Sequence, residues 1–404
     1  MRLAIRGLDR LFLRMAPRQQ KKFPPVLLAS VDFPPHTDGV STIAGELARK
    51  ISERRPQVHV LGPCDEGDRS LDRKYHYRAV RVPGYSWGYA RMLPFAAAMF
   101  WMILTRGIRH VFALNIAYGG ALAWLLSYPL RLRYVLFAYG YEFEKVRTSQ
   151  FLRKWYLSMY AQAEKVICCS EEVRKRLVVF GVASEKTETL YPAVDLERYQ
   201  PGEARPETLT KYGLSGRRVI LSVGRLVERK GHDQVLRALK TLVEKYPDVL
   251  YCISGKGDFE NRLKEMVQTL GLEQHVRLLG RLQDDELRDF YNACEFLIMP
   301  SREIESSGHI EGFGIVFLEA NAFGKPGIGG RSGGIAEALQ DGVSGLLADP
   351  HSPEDIALKM ETLLSRPDYA RQLGQSGLER LRTRFHWDAY VRRAYRLLLG
   401  EDLP

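Results

Sequence analysis

Short apolar runs alternate along this chain with stretches in which apolar residues return every three or four positions. Val26 to Val31 is an almost unbroken apolar run, the length of one buried strand, and from Val40 to Glu53 the residues Ile43, Leu47, Ala48 and Ile51 share one face of a helix. Gln57 to Leu61, His110 to Leu114, Arg133 to Ala138 and Lys165 to Cys169 predict further strands, and Ser170 stands as N-cap to a helix carrying Val173, Leu177 and Val178. A second set begins at Arg218, with strands over Val219–Val223, Leu250–Ser254, His275–Leu279 and Phe296–Met299 separated by helical stretches. Strand and helix in alternation predict a doubly wound parallel sheet, and the pattern occurs twice: an α/β chain of two Rossmann-like domains. The longest apolar stretch, Met92 to Leu104, contains Pro94 and stops at Arg106. It falls short of the ~18 to 20 residues that span a bilayer and reads as a buried helix.

At 404 residues the chain exceeds what one hydrophobic core supports. Tyr191-Pro-Ala-Val-Asp195, with Pro201 and Gly202, marks a linker. The predicted division is a basic extension over 1–22, a first domain over 23–200, a second over 201–385 and a terminal helix over 386–404, in which Trp387 leads into apolar Tyr390, Val391, Ala394 and Leu397. Residues 1–200 carry 31 Lys and Arg against 18 Asp and Glu, a net +13, whereas residues 201–404 carry 28 against 30, a net −2. A positive field confined to the first half fits an anionic acceptor or an anionic lipid surface, and equally a merely solvated basic face. No recognition motif accompanies that charge, so nucleic acid is not an expected partner. Five cysteines without metal-ligand spacing imply a reduced, cytoplasmic compartment. Arg6, Asp9, Arg10 and Arg14 interrupt any signal-peptide core; with Leu3, Leu11 and Phe12 they fit an interfacial helix or a frayed tail.

The chemistry concentrates in Glu311-Gly-Phe-Gly-Ile-Val-Phe-Leu-Glu319. Apolar Ile315, Leu318, Ala322 and Phe323 predict a helix from about Gly312 to Gly324. Along a fully helical path the two glutamates stand about 12 Å apart, beyond the roughly 5 to 9.5 Å of a glycosidase acid/base pair. They suit two contacts on one long ligand. Between them the amides of Gly312, Phe313 and Gly314 form a helix N-terminus that favours phosphate. Upstream, Arg225 and Lys230 flank the turn after the Val219–Val223 strand, offering a planar fork and a compact point charge to phosphate oxygens.

These motifs, with Ser222-Val-Gly224-Arg225-Leu226, Lys230-Gly231, Ser254-Gly255-Lys256-Gly257, Met299-Pro-Ser301, Gly324-Lys-Pro326 and Gly333-Gly-Ile-Ala-Glu337 in the same order, resemble the retaining family 4 glycosyltransferases of GT-B fold. The likeness covers roughly residues 24 to 390 and is dense only after 215. It implies two Rossmann-like domains facing across a cleft, an acceptor-binding first domain, a nucleotide-sugar-binding second domain, and a last helix crossing back onto the first. It also implies that Arg225 and Lys230 stabilise the departing diphosphate, that Glu311 binds hydroxyls of the transferred sugar, and that Glu319 binds the ribose. Gly39, Gly224, Gly255, Lys256, Gly312, Phe313 and Gly314 would border the donor. Tyr139, Glu142 and His309 would lie on the sugar and acceptor side. Tyr139 stands where many members carry a histidine: its phenol either bonds a hydroxyl or packs in the core. Gly39 is equally a plain turn, and His309 equally an exposed loop residue.

The expected protein is therefore a hexosyltransferase using a nucleoside-diphosphate sugar, from GDP-mannose or a UDP-sugar, as substrate. Its acceptor is a hydroxyl of a lipid-linked or envelope glycan, such as lipopolysaccharide. No cofactor and no metal are expected, since no metal-binding aspartate motif stands beside the diphosphate site. The expected location is the inner face of the cytoplasmic membrane, held peripherally. A GT-B epimerase or hydrolase, and a catalytically dead partner subunit, are the rival readings; donor base, acceptor and oligomeric state are left open.

Overall fold

The computed structural model describes residues 24–36, 39–83, 87, 90–140, 142, 149–304 and 308–403. The basic extension 1–22, Tyr141 and the loop residues 305–307 lie outside them.

The first apolar runs form a seven-stranded parallel sheet: β1 (Val26–Ala29), β2 (Val58–Pro63), β3 (Arg78–Val82), β4 (His110–Ala113), β5 (Arg133–Ala138), β6 (Lys165–Cys168) and β7 (Thr187–Thr189), in the order β3-β2-β1-β4-β5-β6-β7. The second set forms a six-stranded parallel sheet of β8 (Arg218–Val223), β9 (Val249–Ser254), β10 (Val276–Gly280), β11 (Cys294–Met299), β12 (Gly327–Gly330) and β13 (Gly345–Ala348), in the order β10-β9-β8-β11-β12-β13. In each sheet the order reverses next to the first strand of the set, the place where a doubly wound sheet opens a crevice at the strand carboxyl ends. Strands β1, β8 and β9 are buried almost throughout, as parallel strands covered on both faces must be.

The helices that bear on function are α1 (Gly39–Arg54), α2 (Met92–Arg106), α3 (Ala121–Leu130), α4 (Glu171–Phe180), α5 (His232–Lys245), α6 (Asp284–Ala293), α7 (Ile315–Ala322), α8 (Ile335–Ala338) and α9 (Trp387–Leu399). Ser170 caps α4 as its sequence predicts, its Oγ accepting from the Val173 amide at 3.1 Å. Helix α7 starts three residues later than periodicity predicts, because Gly314 takes a left-handed φ of 91° as N-cap and breaks the helical path before it. Helix α2 is buried on one face only, through Phe95, Met99, Met102 and Ile103.

Two compact units emerge, one of residues 1–137, 162–165 and 395–404, the other of 138–161 and 166–394. Residues 395–404, comprising the end of α9 and the short C-terminal tail, therefore belong with the first unit. In that unit Arg55, itself buried, donates from Nη2 to Glu401 Oε1 at 3.0 Å and lies over the Tyr395 ring at 4.5 Å. In the second unit Ile220, Val235, Leu236, Leu239, Tyr251 and Ile298 form the core between β8, β9, β11 and α5. Among the described residues no helix is long and apolar enough to cross a membrane.

Candidate active site

The cationic part of the site is built at the C-terminal end of β8. After Val223 the chain turns through Gly224 and Arg225, then makes one 3-10 turn, Glu228–Lys230, before α5 begins. Gly224 donates its amide to the Ser254 carbonyl at 2.9 Å, and Leu226 donates to the Lys256 carbonyl at 3.0 Å. The Gly224–Leu226 and Gly255–Gly257 turns thus run side by side. Lys256 and Arg225 are exposed, and Arg225 has no ion pair among the described residues. Under the turn, buried His232 shares a hydrogen bond with the Tyr251 hydroxyl (3.1 Å), which meets Ser222 Oγ at 2.8 Å. Burial, with the charge of Lys230, pushes the His232 imidazole down to about 4. These three groups are neutral at pH 7, so the site floor adds no charge to that of the cations above it.

Lys230 Nζ donates to Glu311 Oε2 at 2.7 Å, and Arg229 Nη1 donates to the same oxygen at 2.6 Å, with Ser301 Oγ 3.5 Å away. Burial alone would raise the Glu311 carboxyl, but Lys230 and Arg229 overcome it and hold it down to about 2. Burial pulls the Lys230 ammonium down, Arg229 and Arg225 add to that pull, and Glu311 resists it. A second pair fixes the turn: the Arg302 guanidinium forks onto Asp233 at 2.8 and 3.0 Å, and the Arg302 amide donates to the Arg229 carbonyl at 2.8 Å. The loop after β11 and the first turn of α5 are thereby fastened together, which sets Arg229 and Lys230 opposite Glu311.

The Glu311–Gly314 segment is held close against its neighbours. A side chain on Gly312 would come within 2.0 Å of the Tyr139 carbonyl oxygen, so only glycine permits this approach. Gly334 donates its amide to the Glu311 carbonyl at 2.9 Å, giving the Gly333–Gly334 pair a packing role beside the segment, while Gly329 and Gly330 lie in strand β12 and not in a turn. The Phe313 side chain is buried, stacked on Tyr191 at 5.8 Å, so any donor contact from Phe313 would come from its backbone.

Glu319 lies in a separate environment. Its Oε2 accepts from the Tyr291 hydroxyl at 2.7 Å and its Oε1 from the Tyr199 hydroxyl at 3.4 Å, both side chains packing with Phe323. Burial raises its carboxyl despite the Tyr291 bond. None of its partners is shared with Glu311. Glu142 is buried as well: its two oxygens accept from the Tyr139 and Gly140 amides, each at 2.7 Å, which closes the turn after β5 on itself, and burial raises its carboxyl. Tyr139 is buried by its side chain, and His309 is half-buried in an isolated bridge with Ile304. Gly39 opens α1 in the first unit and is exposed.

Sequence reasoning thus singles out Lys230 and Glu311, which the fold joins through atoms 2.7 Å apart, and misses Arg229, Arg302, Asp233, Tyr199 and Tyr291. An adjacent Arg-Lys pair beside a single acceptor was the available signal for Arg229. The tyrosines carried none, because at 120 and 28 residues from Glu319 they look like core.

Comparison with known proteins gives matches over nearly all the described chain. A model of glycosyl transferases group 1 matches residues 205–380, and a model of glycosyltransferase family 4 matches 37–198. A GDP-mannose-dependent alpha-(1-6)-phosphatidylinositol monomannoside mannosyltransferase of Mycolicibacterium smegmatis is 31% identical over 396 residues, covering 93% of this chain and 98% of the relative. A D-inositol 3-phosphate glycosyltransferase of Thermobifida fusca is 31% identical over 232 residues, 55% of this chain and 52% of the relative. Among solved structures, Anabaena HepE in complex with UDP-glucose superposes with a TM-score of 0.78 at 19% identity, over 93% of this chain and 99% of that one, a likeness of fold.

Proposed function

Since this chain belongs to the family 4 glycosyltransferases of GT-B fold, we propose that it moves a hexose, with mannose from GDP-mannose as first choice, onto a hydroxyl of a lipid-linked or envelope glycan. The observation that carries the reading is the Lys230–Glu311–Arg229 cluster set beside exposed Arg225 at the mouth of β8. Two cations share one carboxylate oxygen, and a third has no ion pair among the described residues. A bound diphosphate offers these cations a better-matched anion than one carboxylate does. In the proposed donor complex Lys230 and Arg225 turn to the diphosphate, and Glu311 is left to accept hydrogen bonds from the sugar.

At the anomeric carbon the transfer breaks one bond and forms one, and one proton changes oxygen. The sugar C1–O bond to the diphosphate breaks, the acceptor oxygen bonds C1 on the same face, and the acceptor proton passes to the departing phosphate oxygen. Charge builds on the diphosphate in the transition state, and fixed cations lower that barrier. Arg225, Lys230 and the amides at the start of α7 offer the positive charge that a magnesium ion brings elsewhere, which supports a metal-independent reaction. Glu319, whose carboxylate faces two tyrosines, is a ribose contact on the strength of the resemblance alone; Tyr139, Glu142 and His309 are proposed to shape the sugar side through the backbone they hold. The basic first half supports peripheral contact with an anionic membrane.

The GDP-mannose preference follows the mycobacterial relatives, whereas the Anabaena protein was solved with a UDP-sugar. A thermal-shift panel of guanosine, uridine and adenosine diphosphates and their sugars tests both the class and the base. A ligand at 100 times its dissociation constant stabilises the fold by about 2.7 kcal/mol. We expect GDP and GDP-mannose to give the largest shifts, and Arg225→Ala, Lys230→Ala and Glu311→Ala each to cut transfer sharply. No shift with any nucleotide, or near-normal turnover in all three variants, overturns the proposal. Nucleotide release in the absence of acceptor, as fast as transfer in its presence, would point to a hydrolase.

A further inference from the structure

Helix α2 presents an outward face that water does not suit. Leu93, Ala97, Phe100, Trp101 and Leu104 recur at three- and four-residue steps and all are exposed, Leu93 at 77% and Trp101 at 50%. The opposite face, Phe95, Met99, Met102 and Ile103, is buried against β2 and β3. An ordinary surface helix carries its charges on the outer face; α2 carries none between Arg91 and Arg106. Helix α3 repeats the anomaly with Leu125 at 61% and Tyr128 at 84% exposure.

Topology puts the two helices together. The chain moves from β3 to β4 through α2 and from β4 to β5 through α3, both in the same direction across the sheet, so right-handed crossovers place both on one face, opposite α1. The segments that follow the two helices are joined where β4 and β5 begin, the Arg133 amide donating to the Arg109 carbonyl at 2.8 Å. Arg106, Arg109, Arg131 and Arg133 therefore gather at one end of the apolar face, Arg106 over the Trp101 ring at 5.4 Å and Arg133 paired with Glu164 at 2.9 Å. Positive charge dominates around this face, with Glu164 the carboxylate that pairs with Arg133. Between Asp72 and Glu142 the sequence holds nine Lys and Arg and no Asp or Glu.

Resting on the peripheral-membrane part of the proposed function, we propose that the outer face of α2 and α3 is the surface by which this enzyme sits on an anionic lipid bilayer. The rows of Leu93, Phe100, Trp101 and Leu104 enter the headgroup and upper acyl region, aromatic residues sitting where apolar and wet surroundings meet. The arginine rim stays at headgroup depth and meets lipid phosphates. A second copy of the chain is a poorer occupant, since it would bring another arginine-rich rim whose Glu164 is already engaged by its own Arg133. A large exposed apolar patch with a mainly positive rim is the composition an anionic bilayer complements.

Flotation of the full chain with vesicles of phosphatidylcholine, and of phosphatidylcholine with about one third phosphatidylglycerol, tests this. The wild type should float with the anionic vesicles only, and less as salt rises. The variant Leu93→Ser, Phe100→Ser, Trp101→Ser should bind them at least about 10-fold more weakly while keeping the nucleotide-induced rise in melting temperature that reports an intact second unit. Should that variant not fold, Trp101→Phe serves: brominated lipid should quench the wild-type tryptophan fluorescence, and the quenched fraction should fall in Trp101→Phe. If the wild type floats and both variants behave like it, membrane contact stands and this surface is wrong. If the wild type binds no vesicle, the surface and the membrane reading both fall. Loss of a dimer on the triple substitution, without any vesicle binding, would instead assign the face to a second copy and overturn the proposal.

Discussion

Glu311 is the residue on which the site's electrostatics turn, since one of its oxygens answers both Lys230 and Arg229. Its carboxyl, ordinarily near 4.5, is held down to about 2 because those two cations outweigh the upward pull of burial. A carboxyl depressed by folding stabilises the protein fully above its ordinary range, and that contribution disappears as pH falls toward the folded value. In Glu311→Gln the cations are left buried together, a loss of several kcal/mol near neutral pH. The gap in melting temperature between wild type and Glu311→Gln should therefore narrow as pH is lowered from about 5 toward 3, and calorimetry at stepped pH reads it. A gap that stays constant means that the ion pairs do not form in solution. Function should split differently: with its cations released, Glu311→Gln should bind nucleoside diphosphate as well as the wild type or better, yet transfer sugar about 100-fold more slowly. Equal losses in binding and turnover would remove the proposed division of labour. Glu311, Lys230 and Arg225 were legible from spacing and charge, because a cation after a strand and a carboxylate before a helix are local signals. That the second glutamate faces Tyr291 and Tyr199 was not, since pairing across 28 and 120 residues is set by how α6 and the linker around Tyr199 pack on α7.

Elements show the same divide. The strands with apolar runs, β1, β2, β4, β5, β6, β8, β9, β10 and β11, lie where the alternation predicts them within a few residues. Four strands lie outside that alternation, the four-residue β13, Gly-Leu-Leu-Ala, among them. β3, Arg-Ala-Val-Arg-Val, is an edge strand with Arg78 exposed and Arg81 turned onto Asp72, and β7 is three residues long; β12, Gly-Ile-Gly-Gly, has almost no side chains, and its burial comes from neighbours packed on its backbone. α8, only four residues long, begins in the Gly333–Glu337 motif, which gives no sign of what the helix does. From it Glu337 reaches the N-terminus of α4, accepting from the Glu171 amide at 2.7 Å and the Glu172 amide at 2.9 Å, two of the donors that a helix start leaves unpaired. A carboxylate there also faces the positive end of the helix dipole. Glu337→Ala should cost about 2 kcal/mol in chemical denaturation, and Glu337→Gln, which keeps one acceptor, should recover part of it. If alanine costs no more than a few tenths, water replaces the cap and α4 does not depend on α8.

At the scale of the whole molecule the chain does not divide in sequence order. A repeated strand-and-helix pattern reveals two α/β sets but says nothing of where the last ten residues go, because an amphipathic helix does not name the surface it covers. Residues 395–404 belong with 1–137, and Tyr395, Leu398 and Leu403 are buried there or nearly so. Burying one such side chain is worth about 1.5 to 3 kcal/mol, and Arg55, buried beside them, would lose its Glu401 carboxylate and the Tyr395 ring together. A chain ending at Ala394 should therefore be less stable by roughly 5 kcal/mol or more, a large part of what holds a domain folded. The loss should fall unevenly. Hydrogen exchange should accelerate in β1, β2 and α1, whose Val26, Val58 and Leu47 sit in the first unit, while β8 and β9 keep their protection. Nucleotide should still raise the melting transition of the second unit, since Arg225, Lys230 and Glu311 all lie within 166–394. Uniform loss of protection in both sheets would show instead that the ten residues stabilise the chain as a single cooperative body, and the two units would no longer be independent parts of its folding.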